Sequence, residues 1–247
     1  MSRPAPSHVG GIGTVAAGEW EAARVSDAEA PLLVATDLHR SFGRTQALAG
    51  AGMDVRAGEL VAVMGPSGSG KSTLLHCLAG ILVPDAGIVH YNGTPLSSLP
   101  DRDRTALRRT DFGFVFQFGQ LVPELTALEN VAMPLRLSGV RRRRAERKAA
   151  EWLAKLEVGD VAGKRAGEMS GGQGQRVAVA RALVVGPRVV FADEPTGSLD
   201  SLNGENVMKL LVGAAREAGV AVVLVTHEPR VAAYADREVI VRDGRTR

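Results

Sequence analysis

Eight consecutive residues, Gly65, Pro66, Ser67, Gly68, Ser69, Gly70, Lys71 and Ser72, follow the spacing G-x-x-x-x-G-K-[ST]. Glycines at these places let a loop curl until its backbone N–H groups converge on phosphate oxygens, and a helix starting where the loop ends adds partial positive charge. Lys71 is then expected to reach the β- and γ-phosphates of a nucleotide. At about 4 Å, one ammonium–phosphate pair is worth roughly 4 kcal/mol at an effective dielectric of 20, more than a neutral hydrogen bond. Ser72 offers a hydroxyl to Mg²⁺. A structural turn can also be glycine-rich, but it has no need of this lysine and serine between an apolar strand and a helix.

A second segment, Val189-Val190-Phe191-Ala192-Asp193-Glu194-Pro195, is an apolar run that delivers two adjacent carboxylates at its end. Ligand sites in open α/β sheets lie at the carboxyl ends of the strands. Asp193 is expected to hold Mg²⁺ through its water shell, and Glu194 to polarise the water that attacks the γ-phosphate. Two further apolar runs end in polar groups, Phe112–Phe116 in Gln117 and Val220–Thr226 in His227. An isolated histidine is more often structural, but one placed beyond a central strand of a phosphate-loop protein is expected at the γ-phosphate.

A third segment, Met169-Ser170-Gly171-Gly172-Gln173, precedes an amphipathic stretch, Gln175–Leu183, and reads as another anion cradle at a helix start. One triphosphate does not need two cradles from one chain. This second cradle is therefore expected to serve a nucleotide held by another copy, which implies a dimer.

These side chains need strands that end together. Short β-like runs occur at Leu32–Ala35, Leu60–Met64, Ile88–Tyr91 and Phe112–Phe116, with Gly58 and Gly87 expected in the loops between them. The runs Val189–Ala192 and Val220–Val225 are uniformly apolar, as expected for central parallel strands covered on both faces. The pattern is doubly wound α/β. A helix is expected through Ala145, Ala149, Trp152, Leu153 and Leu156, stopping near Gly159, within an inserted helical subdomain. Arg141-Arg142-Arg143-Arg144 opens it, either as a solvated polar face or as a patch attracted to anionic lipid headgroups. Cations at a helix start are electrostatically unfavourable.

The first 31 residues, with two positive and four negative side chains and little periodicity, are expected to be a flexible tail. They contain Gly11-Ile12-Gly13-Thr14-Val15-Ala16, a match to the dinucleotide fingerprint that lacks a preceding strand and reads as linker. At 247 residues and 45% hydrophobic, the chain can bury a full core as one large domain. A net charge of +3, with arginines interspersed among carboxylates, does not argue for nucleic-acid binding. The one cysteine, Cys77, rules out an internal disulfide framework and suits a reducing compartment as a small buried core residue. No run approaches the ~18 apolar residues that span a bilayer, so any membrane role is expected to need a partner.

Together these segments resemble the ATP-binding cassette family over about residues 32–247. The resemblance implies an α/β P-loop NTPase fold with a RecA-like core, an antiparallel β subdomain and a helical subdomain over about residues 118–170. Gly65–Ser72 is similar to Walker A, with Thr73 adding to the nucleotide contacts, and Val189–Glu194 to Walker B, with Asp193 on magnesium and Glu194 catalytic. Gln117 looks like the Q-loop glutamine, a magnesium and nucleotide contact, and Ser170, Gly171, Gly172 and Gln173 like the signature. Ser198-Leu199-Asp200 looks like the D-loop, His227 like the switch histidine, and Phe42 falls where an aromatic stacks on adenine. The resemblance further implies ATP and Mg²⁺ as cofactors, a head-to-tail homodimer or heterodimer closing over two ATP molecules, a transmembrane permease on a separate chain, and a peripheral place for this chain at the cytoplasmic face of the inner membrane.

Phe42 stands where tyrosine is commoner, Met169 where leucine is, and Gly174 enters a helix at a cost of up to about 1 kcal/mol against alanine. The stretches Phe116–Asn130 and Ala192–Ser201 look like those of the lipoprotein-release and macrolide-export group, whose permeases have few helices and large extracytoplasmic domains. A cassette ATPase without a permease, acting in DNA repair, translation or cell division, is the rival reading. Such proteins usually carry a coiled-coil or zinc insertion or a second cassette. A P-loop kinase would leave the signature and the Asp193–Glu194 pair idle.

Overall fold

The structure is a computed structural model that describes residues 30–247. The tail expected over residues 1–31, but for its last two residues, and the Gly11–Ala16 fingerprint lie outside the described residues.

The described chain opens with a hairpin, β1 (Leu33–Phe42) and β2 (Thr45–Val55), followed by β3 (Leu60–Met64) and α1 (Lys71–Leu78). Next come β4 (Ala86–Tyr91), the short β5 (Thr94–Pro95), α2 (Asp101–Thr110) and β6 (Phe112–Phe116). Helices α3 (Ala127–Leu137), α4 (Arg142–Lys155) and α5 (Gly171–Leu183) precede β7 (Val189–Asp193). The chain then forms α6 (Ser201–Glu217), β8 (Ala221–Val225), the single-turn α7 (Pro229–Ala232), β9 (Arg237–Arg242) and β10 (Arg245–Thr246).

The strands make two sheets. Six run in the order β10-β9-β3-β8-β7-β6, parallel except where β10 returns against β9, and four make an antiparallel sheet, β2-β1-β4-β5. In the central strands alternate side chains enter different cores. Val190, Ala192, Val222 and Leu224 pack with residues of α3, α4, α5 and α6, whereas Phe191, Val223 and Val225 pack with α1 and the antiparallel sheet. That two-sided burial explains why β7 and β8 read as continuous apolar runs.

Four local expectations need correction. Gly87 sits inside β4, not in a loop; its φ of 86° lets β4 pass against the Asp37 backbone, which a Cβ would strike. Helix α4 stops before Gly159, because Glu157 takes the left-handed turn at φ 56° and Gly159 begins a short 3-10 turn. Helix α1 starts at Lys71 and β8 at Ala221, one residue away from the expected edges. Asp37, at φ 51°, lies where β1 shifts register, and the break in alternation hides the second half of that strand from the sequence. Strand β2 is concealed by its small residues, Ala47, Ala49, Gly50, Ala51 and Gly52, which carry little strand preference.

Candidate active site

The register of the parallel sheet brings the polar ends of four strands to one edge. Phe116 pairs with Asp193, Asp193 with Val225, and Val63 with Val225. The residues just beyond, namely Gln117, Glu194, Thr226 and the loop from Gly65, therefore line up at the carboxyl edge of the sheet. This is where α/β folds bind ligands.

The loop from Gly65 to Gly70 is shaped by close backbone packing. Gly70, at φ 106°, caps α1 where a Cβ would strike the Ala47 carbonyl of β2, and Gly65, at φ 147°, approaches the Val241 carbonyl of β9. Helix α1 has no side-chain cap and no acidic residue in its first turn, so its leading N–H groups are free for an anion. Lys71 is buried, and its ammonium donates to the carbonyls of Gly65 at 2.8 Å and Pro66 at 2.9 Å, which leaves one of its three N–H groups uncommitted. Ser67 and Gly68 are exposed, Thr73 is half-buried, and Ser69 is buried with its hydroxyl unpartnered.

Ser72 Oγ donates to Asp193 Oδ1 at 3.2 Å. A hydroxyl and a carboxylate, both hard oxygen donors, are the pair a Mg²⁺ ion shared with phosphates requires, so these residues fit that ion. Beyond Asp193, Glu194 takes a left-handed φ of 47°, uncommon for a residue with a side chain, and its N–H donates to the Val225 carbonyl at 2.9 Å. His227 Nδ1 lies 2.8 Å from Glu194 Oε1. The hydrogen bond to Glu194 and then its charge raise the His227 pKa above the ordinary histidine value. The other carboxylate oxygen, Glu194 Oε2, is buried without a partner. Four buried side-chain polar atoms lack partners among the described residues, and two of them, Ser69 Oγ and Glu194 Oε2, lie at this edge. Unsatisfied buried groups concentrated in this way mark a site built for something else to complete.

Gln117 lies one residue past β6. Its carbonyl accepts from Ser198 Oγ at 2.8 Å, and its side chain lies against Gly197, where a Cβ would come within 2.8 Å of Nε2. Leu199 is half-buried, and Asp200 caps α6 by accepting from Asn203 N at 2.9 Å. Phe42 ends β1 with 48% of its surface exposed and the Arg40 guanidinium carbon 5.1 Å from its ring centroid. It is near the phosphate loop through the hairpin, since Phe42 pairs with Thr45 and Ala47, two residues on, abuts Gly70.

Ser170 to Gln173 stand apart from this group. Ser170 Oγ accepts from Gln173 N at 3.3 Å while Gln173 Oε1 accepts from Ser170 N at 3.0 Å, a reciprocal cap at the start of α5. Gly171 lies against Leu199 and Gly172 against Asn203, and among the described residues no hydrogen bond joins this turn to the Gly65–Ser72 loop. Arg141 to Arg144 are exposed, with Arg142 paired to Glu146 at 2.6 Å.

Sequence reasoning passed over three polar residues that shape the site's surroundings. Asn130, fully buried in α3, holds both backbone groups of Val122; of the α5 side chains, Gln175 donates to the carbonyl of Phe116 at the end of β6 and Arg181 to the carbonyls of Gly119 and Gln120 just beyond it. The legible signal for Gln175 is an amide whose neighbours at i+3 and i+4, Ala178 and Val179, are both apolar.

Residues 48–197 match the profile of the ABC transporter family. The chain belongs to that family. Among curated relatives, the lipoprotein-releasing system ATP-binding protein LolD 2 of Caulobacter vibrioides is 46% identical over 87% of this chain and 96% of its own length. The LolD protein of Bacteroides thetaiotaomicron is 44% identical over 83% of this chain and 94% of its own. Among solved structures, the dimeric bacterial ABC transporter cassette MJ0796 superposes with a TM-score of 0.81 at 38% identity, covering 87% of this chain and 96% of that one. The same cassette in a dimeric post-hydrolysis state, bound to ADP and Pi, gives 0.80 at 37%, with the same coverage. This ABC chain is a P-loop cassette that binds ATP, and it is the ATPase subunit of a transporter. Among the described residues no helix is long and apolar enough to cross a membrane.

Proposed function

We propose that this ABC ATPase powers a permease carried on another chain, extracting lipoproteins or similarly anchored substrates from the cytoplasmic membrane, and that Glu194 activates the hydrolytic water. The observation that carries the chemistry is Glu194 itself, with one carboxylate oxygen fixed by His227 and the other buried and unpartnered. A carboxylate accepts hydrogen bonds only, so the second oxygen is suited to a water beside the γ-phosphate.

In this mechanism the loop N–H groups of Gly68, Ser69 and Gly70, with the start of α1, bind the phosphates, and Lys71 places its remaining N–H on the β- and γ-phosphate oxygens. Phe42 offers an aromatic face to adenine. Ser72 and Asp193 would hold Mg²⁺, with Gln117 beside them, and when bound the ion neutralises charge developing on the phosphate oxygens. His227 keeps the Glu194 carboxylate aimed. Ser170 to Gln173 serve the nucleotide of a second copy, with Ser198 to Asp200 lying between the two centres.

The relatives named for lipoprotein release support the choice of cargo, and the dimeric cassettes support the pairing of two copies. The helical segment containing α3 and α4 and the core strands are read as two parts of one cassette, residues 32–247. The test is purification of the tagged protein from native membranes. A few-helix permease with a large extracytoplasmic domain is expected to accompany it, and recovery of the ATPase alone, with no membrane protein, would contradict the reading.

A further inference from the structure

The segment that follows β6 carries Gln117; it closes backbone turns through Gly119 N to the Phe116 carbonyl at 3.0 Å and Gln120 N to the Phe118 carbonyl at 2.7 Å, and side chains tie those turns to the helices. Gln175 Nε2 donates to the Phe116 carbonyl at 2.9 Å, and Asn130 secures Val122 from α3 through bonds of 2.8 and 3.1 Å. Between these anchors the chain makes two consecutive left-handed residues, Gly119 at φ 66° and Gln120 at φ 46°. Glycine adopts that conformation freely, but glutamine does so only where its surroundings impose it. Arg181 adds the constraint from outside the turn: one terminal nitrogen donates to the Gly119 carbonyl at 2.7 Å and the other to the Gln120 carbonyl at 2.8 Å.

Arg181 is an unusual choice for such a task unless the task requires its shape. Among the described residues no carboxylate lies within 4.0 Å of it, and burial alone lowers its pKa. A rigid planar fork can grip two successive carbonyls at once, which the single point charge of a lysine cannot do. Gly119 also packs on α5, where an added Cβ would lie 3.4 Å from the Gln175 side chain and from the Gly174 carbonyl.

We propose that Arg181 is a positioning residue for the ATPase site: its fork binds the Gly119–Gln120 carbonyls to α5 and so fixes where Gln117 stands against Gly197 and Ser198, just past the Phe116–Asp193 pair. The inference rests on the role given to Gln117 above. The same helix, α5, begins at the Ser170–Gln173 turn, so the segment that carries Gln117 and that turn are both attached to one element.

The test uses the full chain, with kcat and KM for Mg·ATP, thermal midpoints and amide exchange of residues 117–122 measured for Arg181→Met, Arg181→Lys, Gln120→Gly, Arg181→Met with Gln120→Gly, and Gln117→Ala. Arg181→Met is expected to lower kcat by about ten-fold or more, as misplacement of a catalytic contact does, with KM changed by less than about three-fold. Gln120→Gly alone keeps wild-type turnover, and added to Arg181→Met it restores part of the lost kcat by removing the strain that the fork no longer restrains. Arg181→Lys, which keeps the charge and the fold, is expected to fall between and to exchange faster at 117–122. Wild-type kcat and wild-type exchange in both Arg181 variants would overturn the proposal, as would a loss that Gln120→Gly leaves untouched and that follows the melting temperature. If Gln117→Ala retains full kcat while Arg181→Met loses it and is rescued, the hold on the loop stands and the assignment of Gln117 falls.

Discussion

His227 Nδ1 and Glu194 Oε1 are 2.8 Å apart, and because an ionised carboxylate can only accept, Nδ1 is the nitrogen that carries the proton. The histidine stands beyond β8 and the glutamate beyond β7, so the pair exists only because the two strands are hydrogen-bonded neighbours ending in register. The pairing fixes the imidazole tautomer and aims the carboxylate.

The pair also sets a pH dependence. Glu194 raises the His227 pKa above its ordinary 6.5 through a hydrogen bond and its charge, so the imidazolium form persists to higher pH in the folded chain than in the unfolded one. The stabilisation from the pair is fully present below the unfolded value and is lost as pH rises through the raised folded value. Since the histidine side chain is 63% exposed, solvent screening keeps the contribution small. NMR titration of the His227 ring is expected to give a pKa above 6.5, returning toward it in Glu194→Gln; equal values in both proteins would contradict the coupling.

Lys71→Ala removes charge-assisted hydrogen bonds to phosphate that act on bound ATP as well as on its transition state. Charged hydrogen bonds are worth about 1.5–3 kcal/mol, so ATP affinity is expected to fall roughly ten- to hundred-fold, and calorimetry is the measurement. Unchanged affinity would contradict the placement of Lys71 on the phosphates.

Gly70→Ala confronts both a φ of 106° and the Ala47 carbonyl. Substitution at an incompatible left-handed glycine costs more than the about 1 kcal/mol that removing a glycine can return through the unfolded chain. Urea denaturation is expected to show a loss above about 1 kcal/mol together with weaker ATP binding.

Asn130→Ala strips a fully buried amide that serves Val122 through both backbone groups and also donates to the carbonyls of Leu125 and Thr126. Leaving such groups without partners costs about 1–3 kcal/mol, measurable as a lower denaturation midpoint. Neutral behaviour would mean that the segment relaxes to meet water.

What the sequence made legible follows from how local each signal is. The phosphate loop, β7 with its carboxylates and the capped start of α5 each occupy one short stretch whose residues act on their own neighbours, so spacing alone located them. The Glu194–His227 pair and the grip of Arg181 on Gly119 and Gln120 depend on chain segments 33 and about sixty residues away, and no periodicity encodes such contacts. The antiparallel sheet was half hidden for a similar reason, since the bulge at Asp37 breaks the alternation that marks a strand and β2 draws its stability from packing, not from its alanines and glycines.

Replacing Glu194 by glutamine tests the central claim most directly, because it keeps the size of the side chain and one acceptor oxygen for His227 while removing the charge and basicity of the carboxylate. General-base catalysis typically contributes a factor of about 10²–10⁴, so steady-state hydrolysis should fall by that range while ATP affinity stays close to wild type. Light scattering in ATP should then show a dimer that persists where the wild-type dimer dissociates. Wild-type turnover in the Glu194→Gln protein would contradict the assignment of the hydrolytic water to Glu194.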